Sequence, residues 1–575
     1  MSQVSERSAS DVSVAETLDL LDEQFPGLVD AVADGTYAFW LGSGISRECV
    51  EDVPALVTRI LLYLQRSIDP TNAHCKFRNA FEEALELAAL SEIEQEHTDL
   101  SRDVTEWATF SAITKRLSAQ YAQLLDITIP GERPDFLLWT VVDASATYGD
   151  ASIRPGTEHY CLAVLIVEGM LPDIVSANWD GLVEKAVADL VGEQQSILAV
   201  RVRGDDFREP NARSRILKFH GCAVRAKKDE SAHRALLVGR RSQITQWPHD
   251  ADHAVMRQEM SNLAATRRTL MMGLSAQDPN IQDLFVSAEG LLAWPWPSSP
   301  AAFVFAEEAI GSHQRNILRV SYPSNYNGHE AEIEQSAHLR AFAKPLLAAL
   351  VLGALVAKLE TLARLSIVES QYSALASEIR EGLASVRALA ATSVDESPDR
   401  VLGVIAEVGR ALSLFREGTA PDTSLSYTPI GSVSANQITD DPVLRQGGTP
   451  RLALAISLFG LGHARSTWTL TADAERGVFR AAFLVESGGH KSRVFFAANG
   501  EAALQLELNG FVSDEDASVV VVHSARRAPA KQRSPRSAPG RTGRRTARHI
   551  DMAEVVGSAS NPSDLMQRFR EEITL

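Results

Sequence analysis

At 575 residues the chain exceeds one ordinary domain, and on the order of two to four are expected. An apolar content of 45% excludes a wholly disordered chain. A net charge of −18 excludes a surface that binds nucleic acid throughout, although not a local basic patch.

Residues 1–12 are polar and acidic, without the basic flank and apolar stretch of a signal peptide. Residues 13–35 carry helical spacing (Leu18, Leu21, Phe25, Leu28, Val32), and residues 37–41 (Tyr-Ala-Phe-Trp-Leu) read as a buried strand ending at glycine. The loop Gly42-Ser43-Gly44-Ile45-Ser46 follows, with Ser46 able to cap a helix after it. Over residues 54–125 apolar residues recur at helical intervals, which predicts a helical insertion. Beyond it, strands are predicted at 174–176, 197–202, 216–219, 270–274 and 303–305. Helices are predicted at 182–191, 256–265 and 281–292. Short apolar strands alternating with helices indicate a Rossmann-like α/β fold with a parallel sheet covered on both faces.

Past residue 335 the character changes. Residues 339–415 read as largely helical. Within them 345–357 is apolar but bounded by Lys344 and Lys358, short of the roughly 20 residues of a spanning helix, so a buried helix and no membrane contact are expected. Residues 418–450, rich in Gly, Pro, Ser and Thr, read as linker or long loops. Alternating segments at 466–471, 478–485, 492–497, 502–508 and 517–522 predict an antiparallel sheet, with a hairpin turn at Gly488-Gly489. Residues 526–548 form a basic, low-complexity run without an acid. A disordered linker is expected there, and it is the sole place where nucleic acid could bind. The expected organisation is therefore an N-terminal helix (1–35), an α/β domain (36–330) with a helical insertion at about 54–130, a helical region (335–417), a β-rich domain (418–525), the basic linker (526–548) and a tail (549–575).

The cysteines Cys49, Cys75, Cys161 and Cys222 are widely separated and form no Cys-x-x-Cys pair. Neither a zinc ribbon nor a dithiol site is expected, and isolated thiols point to a reducing, cytoplasmic setting.

Four motifs follow strand candidates, where ligands sit in parallel sheets. In Gly42-Ser43-Gly44 two glycines allow close backbone approach to a pyrophosphate, and the loop alone reads equally as a tight turn. Arg47 stands where the dinucleotide fingerprint has its third glycine, which argues against hydride transfer. Asn178-Trp179-Asp180 offers an uncharged amide that can fix a ribose hydroxyl or a water, with Asp180 as an alternative helix cap. His220, followed by Gly221, can act as a general base. Gly273-Leu274-Ser275 is a second glycine turn.

In this order, Gly-Ser-Gly-Ile-Ser, Asn-Trp-Asp, Lys-Phe-His-Gly and Gly-x-Ser-x-x-Asp, the chain resembles the Sir2 (sirtuin) family in its divergent prokaryotic SIR2-like branch, over about residues 30 to 325. The resemblance implies catalytic Asn178, Asp180 and His220. It implies NAD+ contacts by Gly42, Ser43, Gly44, Ile45 and Ser46, and by Gly273, Ser275 and Asp278. NAD+ would be the substrate, with no metal. Protein deacylases of this family carry a four-cysteine zinc module after the histidine; here Cys222 is alone in that interval. The expectation therefore shifts to an NAD+ hydrolase, resembling anti-phage effectors that deplete NAD+ and are controlled by oligomerisation or a partner defence protein. The alternatives are a deacylase or ADP-ribosyltransferase using the same residues, or an NAD+ or ADP-ribose sensor without turnover.

Overall fold

Tyr37–Leu41 (β1) is buried at all five positions, which fits a central strand covered on both faces. Its side chains alternate: Tyr37, Phe39 and Leu41 enter one hydrophobic core, Ala38 and Trp40 another. In this computed structural model the described residues are 8–573 except 73, 194–195, 368, 396–399, 422, 424, 474–478, 514 and 526–546.

Around β1 are Asp173–Ser176 (β2), Leu198–Arg201 (β3), Ser214–Lys218 (β4), Arg268–Met272 (β5), Phe303–Ala306 (β6) and His338–Leu339 (β7). They form one sheet in the order β3-β4-β2-β1-β5-β6-β7, and every pair is parallel. The Rossmann-like expectation holds. After β4 the chain crosses back to β5 on the other side of β1, so the order reverses between β1 and β5. In open α/β sheets the ligand crevice lies outside the strand ends at such a point.

Between β1 and β2 the chain forms helices, chiefly Val53–Arg66, Lys76–Leu87 and Phe110–Ser118, around a core of their own that includes Leu61, Phe81, Trp107 and Leu117. The predicted N-terminal helix is two, Val14–Gln24 and Leu28–Ala33, separated at Pro26-Gly27. Proline lacks the N–H, and Gly27 takes a left-handed conformation (φ 78°).

The apolar stretch at 345–357 belongs to a longer helix, Ala343–Leu365, which continues past both bounding lysines. Among the described residues it is the one helix long and apolar enough to cross a membrane, and 72% of its apolar window is buried inside the fold. Lys358 does not end it because its ammonium is fully buried against Glu168 at 2.7 Å. The expected linker at 418–450 is in part a strap on the α/β domain. Tyr427 donates to Glu168 at 2.8 Å and the Ile430 N–H does the same at 2.8 Å. The helix Thr449–Ala464, buried along most of its length, follows without a prediction from the sequence.

The second sheet contains Thr469–Thr471 (β8), Phe483–Ser487 (β9), His490–Ala497 (β10), Val519–His523 (β11) and Arg548–Asp551 (β12), in the order β12-β11-β10-β9-β8. The hairpin at Gly488-Gly489 joins β9 to β10 as expected. The sheet, however, is mixed: β8/β9 and β9/β10 are antiparallel, while β10/β11 and β11/β12 are parallel. Residues 502–508 are the reason. They lie in a helix, Gly500–Leu508, that provides the crossover a parallel pair requires. Asn499 caps it, accepting from the Glu501 and Ala502 N–H groups. Ala502 and Leu506 are buried, whereas Leu504 and Leu508 are 51% and 69% exposed, which is helical rather than alternating order.

Of the basic run, residues 526–546 lie outside the described residues, and Arg548 opens β12. The tail ends in the helix Pro562–Ile573, which buries Leu565, Phe569 and Ile573.

Candidate functional site

The two glycine loops leave the sheet side by side, from β1 and β5. Gly42 N–H donates to the Met272 carbonyl at 3.1 Å, and Gly44 N–H to the Gly273 carbonyl at 3.2 Å. A Cβ on Gly42 would stand 2.2 Å from Gly273 O, and Gly273 itself has φ 59°. These glycines are thus required by the approach of one loop to the other. Ser43 and Ser275 are exposed on the loops.

No helix starts at Ser46. Ser43–Ser46 is a single 3₁₀ turn, and the first α-helix begins at Val53, capped by Asp52 accepting from Ala55 N–H at 3.0 Å. The helix expected directly behind this loop is therefore missing. Ser46 is instead the node of a buried polar network. It is 1% exposed, and its hydroxyl donates to Asp180 Oδ2 at 2.9 Å. The same oxygen accepts from Asn178 Nδ2 at 3.2 Å and lies 3.1 Å from His159 Nε2.

Asn178 and Asp180 reach this node from the turn after β2. Asn178 N–H donates to Ser176 Oγ at 3.1 Å, and Asp180 Oδ1 accepts from the N–H of Leu182, the first residue of the next helix, at 3.1 Å. Lys218, at the end of β4, donates to the Asp180 carbonyl and pairs with Glu184 at 2.7 Å. Burial works against its charge, but the surrounding Cys222, Glu184 and Asp180 hold its pKa above the ordinary lysine value.

His220 stands two residues beyond Lys218, as Asn178 stands two beyond Ser176, and Ser176 and Lys218 are register partners. The turns that carry Asn178 and His220 therefore begin at the same level of two adjacent strands. His220 Nε2 lies 3.0 Å from Asp278 Oδ2. A carboxylate only accepts, so this contact keeps the proton on Nε2 and leaves Nδ1 as the basic nitrogen. Asp278, expected as a nucleotide contact, lies against His220 and also caps the helix Pro279–Leu291 by accepting from Asn280 N–H at 2.9 Å. Tyr121 reaches this pair from the insertion: burial raises its phenol pKa, and the charge of Asp278 adds to the rise.

Asn178, Asp180 and His220 are 7%, 5% and 9% exposed. With its amide nitrogen on Ser46, Asn178 Oδ1 has no hydrogen-bond partner. A buried acceptor left unpaired costs free energy unless a ligand or water supplies a donor, which suits a ribose hydroxyl. Half-buried Cys49 lies beside the network, and burial together with Glu158, Asp180 and Glu48 pushes its thiol up to about 11, far from a nucleophilic thiolate. Among the described residues no three His, Cys, Asp or Glu side chains converge on a metal position.

His159 was not singled out in the sequence. Its one local signal is a histidine three residues after Gly156, in the first turn of Thr157–Val167, a helix whose remaining turns are apolar and whose every residue is buried.

Sheet order and site together define a Rossmann-like α/β protein with its polar groups gathered at the switch point. Residues 172–323 match the family model of the SIR2-like domain. The chain thus carries a SIR2-like domain, a class that uses NAD+. The matched span holds Asn178, Asp180, His220, Gly273, Ser275 and Asp278; Gly42–Ser46 and His159 precede it and join the site through the fold. No match was found among curated proteins.

Proposed function

We propose that the chain is an NAD+ glycohydrolase, cleaving NAD+ to nicotinamide and ADP-ribose. The observation that supports this most is Asn178 Oδ1, a buried acceptor without a partner, in the turn after β2, the neighbour of the strand β4 that His220 follows. In this reading Asn178 accepts from a ribose hydroxyl or from the attacking water. The C1′–N bond to nicotinamide breaks with its electron pair going to nicotinamide. The water oxygen bonds C1′, and its proton passes to His220 Nδ1 while Asp278 holds the ring. Asp180 acts through Ser46 on the Asn178 amide.

The same proposal assigns the protein to bacterial anti-phage defence, as an effector that depletes NAD+ once oligomerisation or a partner protein opens the site. Two features support it: the burial of Asn178 and His220, and the extensive chain outside the SIR2-like match.

The test is release of nicotinamide and ADP-ribose by the full chain, expressed alone and together with its neighbouring gene products. His220→Ala should cut turnover by about 10²–10⁴-fold, the usual worth of a general base, with the melting temperature unchanged. Wild-type rates in His220→Ala or Asn178→Ala would refute the assignment. Acyl-ADP-ribose or modified protein as the product would favour the transferase reading instead.

A further inference from the structure

We propose that His159 is a positioning residue: its Nε2–H holds the Ser46 hydroxyl, and through it the Asn178 amide, with Oδ1 turned toward the substrate. This rests on the reading of Asn178 given above.

The protonation of the ring follows from its two neighbours. Gly156 N–H donates to Nδ1 at 3.1 Å, so Nδ1 carries no proton and the hydrogen sits on Nε2. Burial lowers the pKa of this histidine, with Asp180 pulling the other way, which favours the neutral ring. Nε2–H then faces Ser46 Oγ at 3.1 Å.

Ser46 Oγ has one hydrogen and two lone pairs, and it meets three neighbours. Asp180, as a carboxylate, takes the hydrogen. His159 fills one lone pair. The second is left for a donor, and Asn178 supplies its NH₂. The amide oxygen is thereby directed away from Ser46. Were Nε2 unprotonated, it would compete with Asp180 for the single hydrogen, and Ser46 would be free to rotate off Asn178.

The helix bearing His159 is held at both ends. Its first turn carries the histidine, and Glu168, directly after its last residue, is buried among Lys358, Tyr427 and the Ile430 N–H. The imidazole is thus placed by a buried, anchored element, which a positioning role requires.

The test compares His159→Leu, which removes the donor, with His159→Gln, whose amide N–H can replace it. Nicotinamide release at saturating NAD+ and NAD+ affinity by calorimetry are measured on the full chain. His159→Leu should slow turnover about 10–100-fold, the worth of one buried hydrogen bond in the reacting geometry, and leave affinity within about threefold. His159→Gln should recover most of the rate. Equal rates in wild type and His159→Leu, or a His159→Gln protein as slow as His159→Leu, would overturn the proposal. If wild type neither binds nor cleaves NAD+, the glycohydrolase reading fails by itself. The positioning geometry is then read from ¹⁵N shifts of the ring in ¹⁵N-histidine-labelled wild type. A neutral Nε2–H ring at pH 7 upholds it, and an Nδ1–H or doubly protonated ring overturns it.

Discussion

Glu307→Gln should stabilise the protein, and increasingly so as the pH rises. Glu307 directly follows β6 at the carboxyl end of the main sheet, and burial pushes its carboxyl from the ordinary 4.5 up to about 7, with Arg47 and Gln314 opposing. A carboxyl whose pKa is raised in the fold favours the folded state fully below its unfolded value and loses that contribution as pH climbs through its folded value. At pH 5.5 the unfolded chain has released most of this proton and the folded one has kept it, a penalty of about 1.4 kcal/mol. Above pH 8 both states are ionised and the penalty levels off at about 3 kcal/mol, an upper figure because partial exposure screens the charge. Glutamine keeps a neutral group of the same shape and escapes this loss. In chemical denaturation from pH 5.5 to 8.5, the advantage of Glu307→Gln should grow by about 2 kcal/mol and then stay flat. A constant difference across that range, or one that shrinks with pH, would refute the reasoning.

Gly273→Ala forces a Cβ into a left-handed position 2.8 Å from Gly44 Cα and 2.9 Å from Ile45 N. A loss of about 2–4 kcal/mol in denaturation is expected, together with weaker NAD+ binding by calorimetry, since the loop bearing Ser46 must shift. A variant with wild-type midpoint and affinity would show that the two loops have room to part. Lys358→Met leaves the Glu168 carboxylate buried without its cation and should cost about 3–5 kcal/mol. Adding Glu168→Gln should recover a large part, and a double variant no more stable than Lys358→Met would contradict this.

Six strands of the main sheet were legible as short apolar runs, four of them (β1, β2, β4 and β5) ending in a motif, a pattern that survives without knowledge of neighbours. β7, only His338 and Leu339, is too short to carry one and was not predicted. Asn178, Asp180 and His220 were legible for the same reason, each standing just past a strand end. Ser46 was noticed for the wrong role: a serine after a glycine loop looks like a helix cap, and only the fold shows Asn178, Asp180 and His159 converging on its hydroxyl. The second sheet was harder to read. Residues 502–508 alternate in hydropathy over a window too short to separate strand from helix, and the Asn499 cap decides between them.

By itself the sequence determined that Asn178, Asp180, His220 and the two glycine loops stand just past strand ends, because strand ends and glycine turns are local features. The tertiary structure decided which of them touch. Residues 46, 159, 178 and 180 meet because β1 and β2 pair in register and the helix Thr157–Val167 packs beside them. The partner of His220 is Asp278, at the start of a helix after β5. Hydrogen bonds form over about 3 Å, whereas these residues lie 58 to 134 positions apart along the chain in the contacts His220–Asp278 and Ser46–Asp180. No local pattern encodes such a meeting, and only the packed sheet brings it about.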